Sequence, residues 1–431
     1  VVGSVAVPAA DLHLHRTVEA VWRMESARII AALTRIVRDV GVAEELAQDA
    51  LVAALEQWTG SGIPQNPAAW LMGTAKHRAI DQLRRRPMLE RKHAELGYQL
   101  EVEQRNPAAD LDAALDDDVG DDVLRLVFTA CHPVLSSEAQ VALTLRLLCG
   151  LTTNEIARAF LTSEPTIAQR IVRARRTLAK ARVPFEVPRG EDRASRLASV
   201  LAVVYLVFNE GYAATTGDSW IRAGLCEEAL RLGRVLAGLM PDEPEVHGLV
   251  ALMELQSSRL RARVGPSGQP VLLNDQSRAR WDPLLIRRGL AALVRAERLS
   301  TTPGAYTLQA GIAACHARAR VPEETDWPRI VSLYTALVAV TGSPVVELNR
   351  AVAVGMASGP TAGLALVDAL TSSDALRSYH YLPSVRGHFL EQLGRAAEAR
   401  AEFRRAATLT KNAQERTVLL ERASRLAEDQ A

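Results

Sequence analysis

The stretch Ser163-Glu164-Pro165-Thr166-Ile167-Ala168-Gln169-Arg170-Ile171-Val172-Arg173-Ala174-Arg175-Arg176-Thr177-Leu178-Ala179-Lys180 decides the reading of this chain. Thr162 or Ser163 can cap a helix there, and Pro165 suits its first turn. Ile167, Ile171, Ala174 and Leu178 then recur at helical spacing as one narrow apolar stripe, with Thr166, Gln169, Arg173, Arg176 and Lys180 on the opposite face. A helix that reads the major groove must pack on one side and offer amide, hydroxyl and cationic groups on the other. Pro165, Thr166, Ala168, Gln169 and Arg170 lie near the N-terminal end, where bases are within reach. Arg173, Arg175 and Arg176 suit phosphate, for which charge alone suffices. The competing reading is an ordinary amphipathic helix with a basic outer face, and the segments upstream argue against it.

Thr152-Thr153-Asn154-Glu155 has the capping-box form and opens a short helix with Ile156, Ala157 and Phe160 inside. Ser137-Glu138-Ala139-Gln140 is a second box, opening a helix through Val141, Leu143, Leu145, Leu147 and Leu148 to Gly150. An apolar stripe from Val123 to Phe128 precedes it and ends near His132-Pro133. Two boxes and a short turn before the basic helix make residues 123–183 a helix-turn-helix module. Upstream, Asp110, Asp112, Asp116, Asp117, Asp118, Asp121 and Asp122 mark residues 93–122 as an acidic linker.

Residues 12–92 form another basic module. Helical spacing runs from Val18 to Val37, where Gly41 is expected to break it. A second helix follows from Ala43, with Leu46, Ala50, Leu51, Ala54, Leu55 and Trp58 on one face. Gly60, Gly62, Pro64 and Pro67 make a loop, and a third helix begins near Pro67 and is expected to stop at Pro87. At 100° per residue Leu71, Ala75, Ala79, Ile80 and Leu83 share one half of that helix; His77, Arg78, Asp81, Arg84 and Arg85 share an arc of the other. With Lys76 and Arg86 this is a cationic face on a packed helix. Trp70, at the helix start, serves core packing as readily as base contact.

At 431 residues the chain exceeds one hydrophobic core. Abundant Ala, Leu, Arg and Glu, with only 4% aromatics, favour an all-α fold. Cys131, Cys149, Cys226 and Cys315 lie far apart without CxxC or zinc spacing, and His316, His380 and His388 show none either, so neither disulfides, metal nor cofactor is expected. No catalytic set assembles, and the chain is expected not to be an enzyme. No apolar run approaches the ~18 residues needed to cross a bilayer, and residues 1–10 read as a frayed terminus without a basic leader. A cytoplasmic protein without a membrane is expected.

The order Glu44-Glu45-Leu46-Ala47-Gln48-Asp49, the Gly/Pro loop, then Trp70 to Arg86 resembles region two of extracytoplasmic-function (ECF) sigma factors. Gly150 to Ala157 followed by Thr166 to Arg175 resembles region four. The resemblance implies that Glu44, Glu45, Leu46, Gln48 and Asp49 dock on core RNA polymerase, that the loop and the Trp70–Arg86 helix capture the opened minus-ten element, and that the Pro165–Arg176 helix reads the minus-thirty-five element. His77 stands where that family usually has Asn. The role would be promoter recognition in transcription initiation, with core polymerase and promoter DNA as partners. The rival is a one-component DNA-binding regulator, which needs no acidic docking helix before a strand-capturing one.

Past a seam at Pro184, Pro188 and Gly190, residues 190–431 carry helix-turn-helix spacing of another kind. Gly387, Gly394, Ala399, Phe403 and Ala406 follow the small-and-large pattern of a tetratricopeptide repeat, of period 34. Ala353, Pro360, Ala365 and Ala369 fall one period earlier, and Ala229, Leu236 and Pro241 fit a weaker copy. With Tyr205 to Tyr212, Trp281-Asp282 and Leu348 to Ala353 the extension resembles the tetratricopeptide-like domain of one ECF subgroup. Such a domain suits a protein or peptide partner. Asn209 and Glu210, beside Tyr205 and Tyr212, read as locks between repeats before they read as a ligand site.

Overall fold

The computed structural model describes residues 9–94, 119–212, 221–265, 271–410 and 412–428. Every regular element among them is a helix, as the composition requires. Most of the acidic linker, from Asp110 to Asp118, lies outside the described residues, as do residues 1–8. The chain divides into two compact units, Val1–Val203 and Val204–Ala431.

In the first unit α1 (Ala9–Val37), α2 (Val40–Ser61) and α3 (Pro67–Ala94) pack on one another. The break between α1 and α2 falls at Arg38, in the left-handed region at φ 54°, and at Asp39, whose carboxylate accepts from the Val42 N–H at 3.0 Å. Asp39 is a better stop than Gly41 because it caps the new helix; Gly41 sits inside the first turn of α2. Ile29, Ile30, Leu33, Trp58 and Leu71 are buried between the three helices. Trp58 and Trp70 meet edge to face with ring centroids 5.3 Å apart, so Trp70 does serve packing. Asn66 caps α3 by accepting from the Ala69 N–H at 3.0 Å. Contrary to expectation α3 continues through Pro87 to Ala94: proline forfeits one rung of the ladder, and the helix formers on both sides carry it past.

The second half of this unit holds α4 (Val119–Ala130), α5 (Ser137–Leu147), α6 (Thr153–Ala159) and α7 (Glu164–Lys180). Asp121 and Asp122 fall in the first turn of α4, where the helix dipole favours them. In chain order, the first capping box, read at Ser137, is shifted by one residue: Ser136 is the cap, and the Gln140 amide instead donates to the Cys131 and His132 carbonyls. The second is as read, with Thr152 and Glu155 satisfying each other's backbone N–H.

From α8 (Glu191–Tyr212) onward the helices stack in sequence: α9 (Ala223–Leu239), α10 (Pro244–Ser257), α11 (Pro283–Leu299), α12 (Ala305–Arg318), α13 (Trp327–Thr341), α14 (Pro344–Ser358), α15 (Pro360–Leu370), α16 (Tyr381–Gln392), α17 (Ala396–Leu409) and α18 (Ala413–Glu428). From α9 on, each packs on the next, apart from short 3-10 turns between some. By length and composition α8 is long and apolar enough to cross a membrane, contrary to the expectation that no segment is. Its Val200, Val203, Val204, Val207 and Phe208 are all buried within the protein, as in a core helix.

Ala399, Phe403 and Ala406 are fully buried, and a Cβ on Gly387 would lie 2.9 Å from the Phe403 ring. The repeat spacing therefore describes α16 and α17. One period earlier it slips, because Ala365 and Ala369 are exposed. The small residues that let α14 and α15 approach are Gly355 and Gly363, which both face Phe389. All four cysteines are buried. Burial pushes the Cys131 and Cys226 thiols up to about 12.

Candidate nucleic-acid interface

The turn between α6 and α7 is carried by Leu161 at φ 49°, where glycine is the usual occupant. Its backbone cost is offset by closing α6, since the Thr162 N–H reaches back to the Ala157 carbonyl at 3.0 Å. Ser163 then caps α7 by accepting from Thr166 N–H, and Pro165 lies in the first turn. Ile167, Ile171, Ala174 and Leu178 are buried, as their stripe requires. Pro165, Thr166, Ala168, Gln169, Arg173 and Arg176 are exposed, and Arg170 is half-buried.

Thr166, Gln169, Arg170 and Arg173 line a surface groove of about 400 Å³ with Ser136 and Glu138 from the start of α5. Glu138 was not singled out from sequence. Backbone and Ser136 hydrogen bonds, helped by Arg170, hold its carboxyl below the usual range. The groove thus presents hydroxyl, amide and guanidinium groups together, the donors and acceptors that base edges and phosphates take.

On the first module, His77, Asp81 and Arg84 are exposed along α3, with Lys76 and Arg78 half-buried beside them. Arg85 and Arg86 follow on the same helix. Glu45 and Asp49 stand exposed on α2, Gln48 is half-buried, and Asp49 pairs with Arg78 at 3.6 Å. Leu46 is buried. Docking and strand-capture candidates therefore share one surface.

Glu44 is placed otherwise. It is only 1% exposed, and its carboxylate accepts from Arg146 Nε at 2.7 Å, from Gln48 Nε2 at 2.6 Å and from Arg175. Arg175, expected on phosphate, is thus turned inward against α2. Arg23 pairs with Glu155 at 2.5 Å, and the buried Asp122 lies 3.2 Å from Arg35. Burial raises the Asp122 pKa although Arg35 and Arg125 oppose it. For Glu155 burial is outweighed by Thr152 and Arg23, and its carboxyl is held below the usual range. Gly150 seals the contact: its φ is 67°, and a Cβ there would stand 2.8 Å from Ser26 Oγ on α1. In this arrangement the helix-turn-helix module is clasped to the first module. No local signal announces it, since the two arginines that pair with Glu44 lie 102 and 131 residues away.

Comparison with known proteins fits this division. Residues 22–87 match sigma-70 region 2, and residues 125–178 match sigma-70 region 4. An uncharacterised protein of Rhizobium meliloti (strain 1021) is 47% identical over 390 residues, covering 90% of each chain. The chain belongs to the sigma-70 family. This sigma-70 protein carries a C-terminal extension whose residues 196–297 match a family of unknown function, DUF6596. The crystal structure of yeast Tom70 superposes over 98% of the sigma-70 chain and 87% of its own at 11% identity, with a TM-score of 0.30, at which two helical chains need not share a fold.

Proposed function

We propose that this protein is an alternative sigma factor of the ECF type, which binds core RNA polymerase and directs it to promoters. The observation that carries the reading is the exposed groove of Thr166, Gln169, Arg170 and Arg173 on a helix-turn-helix, in a chain with both sigma-70 regions in order. Glu45, Gln48 and Asp49 are assigned to polymerase docking, with Glu44 and Leu46 beneath them. Trp70, Lys76, His77, Arg78, Asp81, Arg84, Arg85 and Arg86 are assigned to the minus-ten strand, where cations follow the backbone of unpaired DNA. Pro165, Thr166, Ala168, Gln169, Arg170, Arg173 and Arg176 are assigned to the minus-thirty-five duplex, and Arg175 joins them once released from Glu44. The protein works in the cytoplasm and supplies no chemistry of its own; the extension regulates or supports the sigma regions in cis.

Run-off transcription with core polymerase on the promoter of the protein's own operon tests this. A transcript that needs the chain and disappears with Arg84→Ala/Arg85→Ala is expected. Tight duplex binding with neither polymerase binding nor transcript would replace the proposal with a one-component regulator.

A further inference from the structure

The second unit carries a half-open cavity of about 200 Å³ between α10, α12, α13, α14 and the segments that hold Arg259, Leu273 and Trp281. It is larger than the ~150 Å³ cavity known to hold benzene in another protein. Leu255, Ile312, Leu337 and Val346 give it an apolar wall; Gln256, Arg259, His316, Tyr334 and Asn349 give it a polar one. Among the described residues that line it there is no Asp or Glu.

Among the described residues that line the cavity, the formal charge is positive and comes from Arg259. Arg259 stands in the wall, its Nε donating to the Tyr212 hydroxyl at 2.7 Å and its guanidinium 5.9 Å from the Trp281 ring. Arg278 stacks on the same indole at 4.1 Å, and none of its three guanidinium nitrogens touches solvent or has an acceptor among the described residues. Glu323 acts on Arg278 from a distance without bonding to it. Burial and these two cations bring the His316 imidazole down to about 4, so it is neutral at pH 7.

Polar groups around the same cavity are also unmet. Gln256 Oε1, Trp281 Nε1 and His316 Nδ1 are out of solvent and without partners among the described residues, and Trp281 is only 5% exposed. Each such group lowers stability, and folded proteins keep few of them. Several around one void, beside two arginines with no ion pair among the described residues, mark a site organised for something other than packing.

We propose that this cavity binds a small organic monoanion, its carboxylate held by Arg259 and its aromatic or branched body against Leu255, Ile312, Leu337 and Val346. A single lining guanidinium matches one carboxylate, and the apolar wall excludes a ligand that is charged all round. This goes beyond promoter recognition and does not depend on it.

The test uses the full chain, with benzoate as probe and benzamide as its neutral isostere, followed by calorimetry and by the His316 ring resonances. Benzoate should bind at least tenfold tighter than benzamide, and its charge should move the His316 titration upward. Arg259→Gln should weaken benzoate about tenfold and leave benzamide unchanged. Ala313→Leu, which fills the cavity from its wall, should abolish both and guards against misfolding of the first variant. No benzoate binding in the millimolar range, equal binding of benzamide, or binding that survives both variants would overturn the proposal.

Discussion

Replacing Glu44 by Gln keeps the shape of the clasp and removes its charge. Glu44 is buried, and Arg146 and Arg175 keep only 20% and 21% of their side-chain exposure. Burial already lowers both guanidinium pKa values, yet arginine does not give up its proton. The variant therefore leaves two positive groups around a neutral amide, one end of which is itself a donor. Breaking a buried pair costs about 3–5 kcal/mol, and the remaining exposure of both arginines places the loss at ~3 kcal/mol. That corresponds to roughly a hundredfold more frequent opening. Because two units make a single melting curve ambiguous, hydrogen exchange read by peptide is the assay. Amides of α2 and α7 should exchange about a hundredfold faster, while those of α16 should not change. Arg175→Ala should cost only ~1 kcal/mol, since Arg146 still neutralises the carboxylate, and the double variant should cost less than the two single changes together. Exchange in α2 and α7 within about twofold of the parent protein would refute the clasp as a source of stability.

Three further outcomes follow from the same geometry. Gln169→Ala should reduce discrimination between cognate and mutated upstream promoter elements by ~1–3 kcal/mol, measured by competition binding of the holoenzyme; unchanged discrimination would remove Gln169 from the reading set. Gly150→Ala adds a Cβ at positive φ within 2.8 Å of Ser26 Oγ and should destabilise the first unit by about 1–3 kcal/mol in urea, with rescue of the steric part by Ser26→Gly. His316 titrates lower in the folded than in the unfolded chain, so its contribution to stability is fully present above pH ~6.5 and is lost as pH falls toward about 4. By linkage the loss approaches ~3 kcal/mol, and His316→Gln should flatten the pH dependence of unfolding over that window.

Local chemistry made α6 and α7 legible. Thr152 and Glu155 satisfy each other within four residues, and the stripe from Ile167 to Leu178 is one face of one helix. The same locality explains the small misreadings. Ser136 and Ser137 are equally good caps in sequence, and only the fold chooses; Pro87 reads as a stop because its neighbours' propensity cannot be weighed by inspection. The clasp was out of reach, since nothing near Glu44 distinguishes a carboxylate meant for Arg146 and Arg175 from one meant for solvent beside Glu45. The earlier repeat failed for a related reason: close approach there is set by Gly355 and Gly363 around Phe389, a ring supplied by a later helix. The cavity beside Arg259 has no sequence signature at all, because its walls come from four helices and the segments that carry Arg259, Leu273 and Trp281.

The buried thiols give each unit its own clock. With a pKa of about 12, Cys131 in the first unit and Cys226 in the second hold roughly one thiolate in 10⁵ at neutral pH. An alkylating reagent must therefore wait for a helix to part, which admits the reagent and restores ordinary acidity in one event. Labelling followed by mass analysis would time the two openings separately in the same tube, with no probe added to the protein.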